Sequence, residues 1–269
     1  TVTIDGKEYP MRDMNFPTVD PADPLRLTDE EEELLHTLEL SFRHNARLHE
    51  HVRFLYSNGS MYKCCNSNLL YHGCIPMTEN REFDGLMVGG KMYRGKELMD
   101  FIDTQVKNAY FLPEDAPEKE ACRDFMWYLW NGAKSPVFGK DKNRSFEHYF
   151  IEDPEVMRET MNPYYQLSEE EETCDMILKE FGLPTKGSHI INGHMPVKIK
   201  SGETPIRAGG KLFIIDGGLS KAYQERTGIA GYTLIFNSHH LALAEHKPFD
   251  PERERTPKVY IVEKMQKRI

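Results

Sequence analysis

The chain has 269 residues, 39% hydrophobic and 29% charged, and its 34 basic and 43 acidic side chains give a formal net charge of −9. This length fits one large domain or two small ones with a sizeable buried core. The acidic balance argues against nucleic-acid binding as the main role but leaves room for a phosphorylated small molecule, which a few clustered cations can hold.

Residues 1–27 carry Pro10, Pro17, Pro21 and Pro24 with little periodicity and read as an extended arm rather than a packed element. Thr28 opens a helix: with Glu31 it makes a capping box, and the acidic run 29–33 suits the positive end of a helix dipole. Leu34, Leu35, Leu38, Phe42, Leu48, Val52 and Leu55 continue at roughly helical spacing towards a stop at Gly59, and this stripe is expected to pack into the core. The segment 67–75, SNLLYHGCI, is apolar in its middle and ended by Pro76, which predicts a buried strand. Residues 83–93 alternate around Gly85, Gly89 and Gly90 as a hairpin would. Helices are expected over about 94–111 and 117–131, then an irregular stretch over 132–166, then a helix opened by Ser168 and Glu171 that ends at Gly182. Five strand-like segments follow: HIING, KLFIIDGG, YTLIFNS, HLALAEH and KVYIVEK. Helices first and strands later predict an α/β (α+β) arrangement with helices packed on sheet.

No apolar run approaches the roughly 18–20 residues of a membrane span, and the first residues show no basic-then-apolar leader. The five cysteines include one adjacent pair and no Cys-x-x-Cys spacing, which fits reduced thiols better than a disulfide framework or a zinc ribbon. These features make a cytoplasmic protein without a membrane partner the expectation.

Two of the eleven histidines stand apart. His36, His44, His49 and His51 lie amid charges on the first helix and read as solvated, and His239 and His240 are adjacent, so in a strand they point to opposite faces. His72 and His194 each follow a short apolar run and precede a tight turn, in Leu69-Leu70-Tyr71-His72-Gly73-Cys74 and Ile190-Ile191-Asn192-Gly193-His194-Met195-Pro196. Strand ends opening into loops are where α/β proteins place ligands and catalytic groups. A neutral imidazole there suits Zn, Mn or Fe; the bland alternative is a ring that bonds a carbonyl and holds its turn.

Strand-His-Gly-Cys followed far downstream by Gly-His-x-Pro resembles the second half of the calcineurin-like metallophosphoesterases. The longer phrases HVRFLYSNGSMY, NSNLLYHGCIPM, WYLWNGAKSPVFGK, NPYYQL, INGHMPVK and IDGGLSKAYQERTGIAGYTLIFNSHHLALAEHKPF together resemble the class III, Firmicutes-type fructose-1,6-bisphosphatases over about residues 16–265. The resemblance implies part of an αββα sandwich, with residues 28–269 forming the C-terminal part of a metallophosphoesterase catalytic domain. It implies a Mn²⁺-activated two-metal centre that hydrolyses the 1-phosphate of fructose 1,6-bisphosphate to fructose 6-phosphate in gluconeogenesis. His72 and His194 would share one ion of that centre.

The family's upstream motifs, Asp-x-His, Gly-Asp-x-x-Asp-Arg and Gly-Asn-His-Asp/Glu, are absent from this sequence. The chain is therefore expected to be a C-terminal fragment with half a metal site and no catalytic residue of its own. Alone it would be inactive, its partner being the upstream part of the same enzyme or a homo-oligomer mate. For the sugar bisphosphate, Lys140, Lys142 and Arg144 crowd one Gly-containing loop able to grip phosphate. Lys198 follows the Gly-His motif, while Lys221 and Arg226 follow Asp216-Gly217-Gly218. A solvated charged loop is the plainer reading of the first cluster. The rival functions are another phosphoesterase, acting on phosphoproteins or dinucleotide polyphosphates, and a non-catalytic binding or assembly module.

Overall fold

In the computed structural model, which describes residues 1–229, 231–246 and 259–264, the apolar runs at 67–75 and 189–193 become neighbouring parallel strands. Asn68–Tyr71 pairs with His189–Asn192, and His189–Asn192 pairs on its other side with Leu212–Ile214, again parallel. Strands buried on both faces read as continuous apolar runs rather than alternating ones, and Leu69, Ile190 and Phe213 are fully buried. Antiparallel strands flank this centre, Tyr62–Cys65 beside Asn68–Tyr71 and Ile206–Arg207 beside Leu212–Ile214, completing a five-stranded mixed sheet. The link from Cys65 to Asn68 is a two-residue turn with Asn66 and Ser67 both at positive φ, the backbone that tight hairpins require.

Helix Glu171–Glu180 buries Cys174, Ile177 and Leu178 in the same core as Leu69 and Ile190. Helices Gly95–Phe111 and Lys119–Asn131 meet around Leu98, Ile102 and Leu129. The hairpin expected at 83–93 is present as Gly85–Val88 and Lys91–Arg94, turning at Gly89 and Gly90, both at positive φ. The fold is mixed α/β, as the element order predicted.

The five late segments divide between two sheets. The first two supply parallel strands of the central sheet, whereas Tyr232–Phe236, His240–Glu245 and Val259–Lys264 form a separate antiparallel sheet. Tyr232, Leu241 and Leu243 enter the same apolar core as Ile190 and Phe213. Neither sheet closes into a barrel among the described residues.

The described chain splits into two units, Thr1–Ser60 with Lys142–Thr160, and Met61–Asp141 with Met161–Ile269. In the first unit the segment expected as an extended arm begins instead with a hairpin, Val2–Ile4 against Lys7–Tyr9. Asp5 and Gly6 turn it at φ 52° and 79°, and Asp-Gly between two short apolar runs is the sequence signal for such a turn. Tyr9 buries itself against Ile151 and Val156. The capping box forms as predicted: Glu31 N–H donates to Thr28 Oγ1 and Thr28 N–H donates to the Glu31 carboxylate.

The single helix expected to run to Gly59 is two, Asp29–Arg43 and Ala46–Asn58, because Asn45 acts as a fresh N-cap, its side-chain oxygen accepting from Leu48 N–H at 2.9 Å. Its Leu stripe is not core here. Leu34, Leu35, Leu38, Phe42 and Leu55 are exposed, and neither helix has a buried residue, since helical periodicity records an apolar face and not what covers it.

Candidate functional site

The parallel register that aligns Leu69 with Ile190 carries both strands to their ends together, so the chain leaves the sheet at His72 and at His194 side by side. His72 Nε2 lies 3.0 Å from His194 Nδ1, and the rings meet edge to face with centroids 4.8 Å apart. Gly193 N–H donates to His72 carbonyl oxygen at 2.9 Å, which ties one turn to the other. His194 takes a left-handed backbone, φ 63°, unusual for a residue with a Cβ and sustained only where surrounding bonds over-determine it. Its Nε2 lies 3.0 Å from the Phe138 carbonyl oxygen. A carbonyl only accepts, so this contact assigns the proton to Nε2 and turns the Nδ1 lone pair towards His72.

Small residues and a buried polar chain hold the two turns together. A Cβ on Gly73 would stand 2.6 Å from the Pro136 carbonyl oxygen and 3.5 Å from His194 Cβ, so only glycine fits there. Beneath the turns, Asn192 Nδ2 donates to Gly73 carbonyl oxygen at 3.2 Å and to Tyr164 Oη at 2.7 Å, and Tyr164 Oη in turn lies 2.5 Å from Tyr71 Oη. All three side chains are buried, and burial pushes both phenols well above their ordinary range. Asp216 packs its Cβ in the space beside Gly193 and accepts from Gly218 N–H at 2.7 Å. The His72 pKa is lowered, first by loss of solvent and then by the neighbouring His194, with Asp216 opposing both.

Sequence reasoning missed Asn192 and Asp216. The available signal was a polar residue ending each apolar run, Asn after Ile-Ile and Asp after Ile-Ile.

The six candidate phosphate contacts are dispersed. Lys140 pairs by an isolated bridge with Met161, and its ammonium stands over the Phe138 ring, 5.8 Å from the centroid. Lys142 and Arg144 fall in the other unit. Arg144, 8% exposed, is bound to Glu147 at 2.6 Å and to Asp5 at 2.8 Å, and Lys142 lies 3.7 Å from Asp5. The Arg144 guanidinium, followed by the nearby Lys142 charge, holds the Asp5 carboxyl below its usual range. Lys198 lines a cavity with Gly193 and Met195, next to His194. Lys221 and Arg226 are exposed on the helix Lys221–Thr227.

Two imidazole nitrogens facing each other at 3.0 Å suit adjacent positions in the shell of a divalent ion, since ligand nitrogens about 2.0–2.1 Å from one metal lie no more than roughly 4 Å apart. The backbone bond at His194 Nε2 is the outer-shell contact that metal-ligating histidines usually make. No group of three or more His, Cys, Asp or Glu able to hold a metal occurs among the described residues. The pair therefore fits part of a shell.

The fold and this pair define an α/β protein with its candidate site at the ends of parallel strands. The model of the Firmicute fructose-1,6-bisphosphatase family matches residues 1–268, and the chain belongs to that family. It is 54% identical over 245 residues to a fructose-1,6-bisphosphatase class 3 of Bacteroides fragilis, an alignment covering 91% of this chain and 37% of that protein. The class 3 enzyme of Fusobacterium nucleatum is 52% identical over 93% of the chain and 39% of its own length. That of Finegoldia magna is 48% identical over 98% and 41%. The chain thus spans about two-fifths of these relatives. No solved structure matches it. No helix among the described residues is long and apolar enough to cross a membrane.

Proposed function

We propose that this chain carries the downstream half of a divalent-metal phosphatase centre that acts on the 1-phosphate of fructose 1,6-bisphosphate, releasing phosphate and fructose 6-phosphate. The observation that carries the reading is the 3.0 Å approach of His72 Nε2 to His194 Nδ1, joined to the names of the class 3 relatives. His72 and His194 are the residues that would hold an ion, for which Mn²⁺ is the leading candidate. Such an ion would supply Lewis-acid charge neutralisation at phosphate and activation of water.

The chain's own residues do the preparatory work. Phe138 carbonyl oxygen holds the His194 proton on Nε2, leaving Nδ1 as a donor of electrons. His72 presents a lone pair from Nε2 only when its proton sits on Nδ1, and the lowered pKa of His72 keeps the ring neutral at pH 7. Lys198 and Lys140 are the cations of this unit offered for the second phosphate. Lys221 and Arg226 remain candidates by position alone, while Lys142 and Arg144 are occupied with carboxylates.

The test is phosphate release from fructose 1,6-bisphosphate, a phosphopeptide and diadenosine tetraphosphate, with Mn²⁺, by this chain and by a polypeptide spanning the full length of its relatives. The reading expects sugar bisphosphate to be preferred by the longer polypeptide and the present chain to be inactive. Preference for another substrate overturns it. A native product of about this chain's mass, 31.3 kDa, would favour the non-catalytic module.

A further inference from the structure

The stretch that leaves His72 runs through Gly73, Cys74, Ile75 and Pro76 to Met77, and Cys74, Ile75 and Met77 are at most 1% exposed. Backbone N–H groups buried in such a stretch need acceptors. Cys74 N–H finds the Pro136 carbonyl oxygen at 3.0 Å. Met77 N–H finds a side chain instead, Oδ1 of Asn162 at 3.1 Å, 85 positions away in sequence. The same oxygen accepts from Tyr164 N–H at 3.0 Å, and Asn162 N–H donates to the Gly139 carbonyl oxygen at 3.0 Å. Both groups facing the Asn162 amide are N–H donors, which assigns the oxygen to that side.

Each of these three bonds ends close to a group that holds a histidine. Met77 closes the buried stretch that begins at His72. Gly139 follows Phe138, whose carbonyl oxygen lies 3.0 Å from His194 Nε2. Tyr164 holds Asn192, which bonds Gly73. Asn before Pro commonly starts a turn in which the side chain accepts from the residue two places on. That habit accounts for the Tyr164 bond alone. The bond to Met77 joins segments that no local turn connects, and it crosses between the chain leaving one histidine and the chain that steadies the other.

We infer that Asn162 is a positioning residue for the His72–His194 pair, acting through its side-chain oxygen, which fastens the stretch leaving His72 to the segments that hold His194. Ligand groups serve only when packing and outer hydrogen bonds keep them within about 0.5 Å of their working geometry, and Asn162 lies among those outer bonds. The inference takes from the phosphatase reading only what the two histidines are for. The bonds that carry it stand apart from that reading.

Imidazole ¹⁵N spectra of the metal-free 269-residue chain at pH 8 give the test. In the parent, His194 should show one protonated nitrogen, Nε2, and one bare nitrogen, Nδ1. Asn162→Ala removes the acceptor. Its Met77 amide should exchange with solvent at least about tenfold faster, equivalent to 1.4 kcal/mol, and the two His194 nitrogens should draw together towards the averaged values of free histidine. Asn162→Asp keeps an oxygen able to accept both N–H groups and should keep the parent pattern. Should Asn162→Ala fail to fold, Asn162→Ser decides in its place, because a hydroxyl serves the local turn but is one bond too short for Met77. Parent-like imidazole signals in the Ala or Ser variant confine Asn162 to the fold and overturn the inference, as does loss of the parent pattern in Asn162→Asp. Titration of the parent with Co²⁺ tests the phosphatase reading separately: a parent that binds no Co²⁺ removes the metal assignment and leaves the imidazole signals to decide on Asn162.

Discussion

His194 Nδ1 faces His72 Nε2 at 3.0 Å across 122 positions of sequence, and the backbone at His194 is left-handed to make that approach. Function and stability therefore separate at this residue. Glycine accepts φ 63° without the roughly 1–2 kcal/mol that a Cβ costs there, whereas losing the bond to Phe138 costs about 1 kcal/mol. His194→Gly is expected to unfold within about 1 kcal/mol of the parent, the difference of those two effects. Its affinity for Co²⁺ or Mn²⁺ by calorimetry should fall by at least about tenfold if the proposed pair holds the ion, since one of its two nitrogens is then gone. His72→Ala should lose metal in the same way. Unchanged metal affinity in both variants would remove the metal assignment.

Arg144 tests whether the 140–144 cluster serves phosphate or the fold. Arg144 and Glu147 are each 8% exposed and bonded at 2.6 Å, and Asp5 closes the other side of the guanidinium at 2.8 Å. Removing one partner of a buried pair strands the other and typically costs about 3–5 kcal/mol. Arg144→Met is expected to lower urea stability by an amount near the bottom of that range, because Asp5 is open to water. The lowered Asp5 pKa adds a pH signature. The carboxylate stabilises the native state above its ordinary value of 3.8, and that contribution is lost as pH falls through the lower folded value. A variant as stable as the parent would return Arg144 to the list of phosphate contacts.

Much of this was legible in the sequence, and what was not has a physical cause. Thr28 with Glu31, and Gly89-Gly90 between short strands, announced themselves because capping and tight turns depend on a few adjacent residues. The strand-turn phrases singled out His72 and His194 one by one and the family resemblance implied that they meet, but neither pointed to the supporting parts. Phe138 contributes only a carbonyl, and Asn192 acts through bonds to residues 119 and 28 positions away, distances that no local pattern encodes. The Leu34–Leu55 stripe misled for a related reason: spacing shows that a face is apolar and leaves open what covers it. Arg144 and Lys140 looked like one cluster because they are neighbours in sequence, yet the chain passes from one unit to the other at Asp141.

The cysteines divide by burial. Cys64 and Cys65 are exposed, and Cys74, Cys122 and Cys174 are buried. Burial pushes the thiols of Cys74 and Cys174 up to about 12 from an ordinary 9.0, so neither offers thiolate at neutral pH. Titration of the native chain with a disulfide reagent at pH 8 should modify two thiols rapidly, and denaturant should expose all five cysteines. For an acid whose folded pKa is raised, the stabilisation is complete below the unfolded value. Urea stability should accordingly decline as pH rises above about 9, where unfolded thiols ionise and the buried ones do not. Rapid modification of more than two thiols in the native chain would contradict the buried placement.

Tyr164 gives the sharpest test of how the two histidine turns are held. Its hydroxyl accepts from Asn192 Nδ2 at 2.7 Å and contacts Tyr71 Oη at 2.5 Å, all inside a core from which water is excluded. Tyr164→Phe removes one oxygen and leaves two polar partners in place, Asn192 with one N–H that has lost its acceptor and Tyr71 with its hydroxyl unpaired. Each stranded group costs about 1–3 kcal/mol, while the phenyl ring keeps nearly all the apolar contact. A loss of about 2–4 kcal/mol in urea stability is expected from two such groups. Replacing Tyr71 by Phe as well should restore part of it, because the second stranded hydroxyl is then gone. The functional consequence follows from Asn192, which bonds Gly73 with its other hydrogen. Once Tyr164 no longer holds the amide, the Asn192–Gly73 bond between the two turns is free to loosen, and the Gly193 N–H bond to His72 carbonyl oxygen is left to tie them. The imidazole ¹⁵N shifts of both rings should then move towards those of free histidine in Tyr164→Phe, at a temperature where the chain is still folded. Unmoved imidazole signals with reduced stability would confine Tyr164 to packing and detach it from the site.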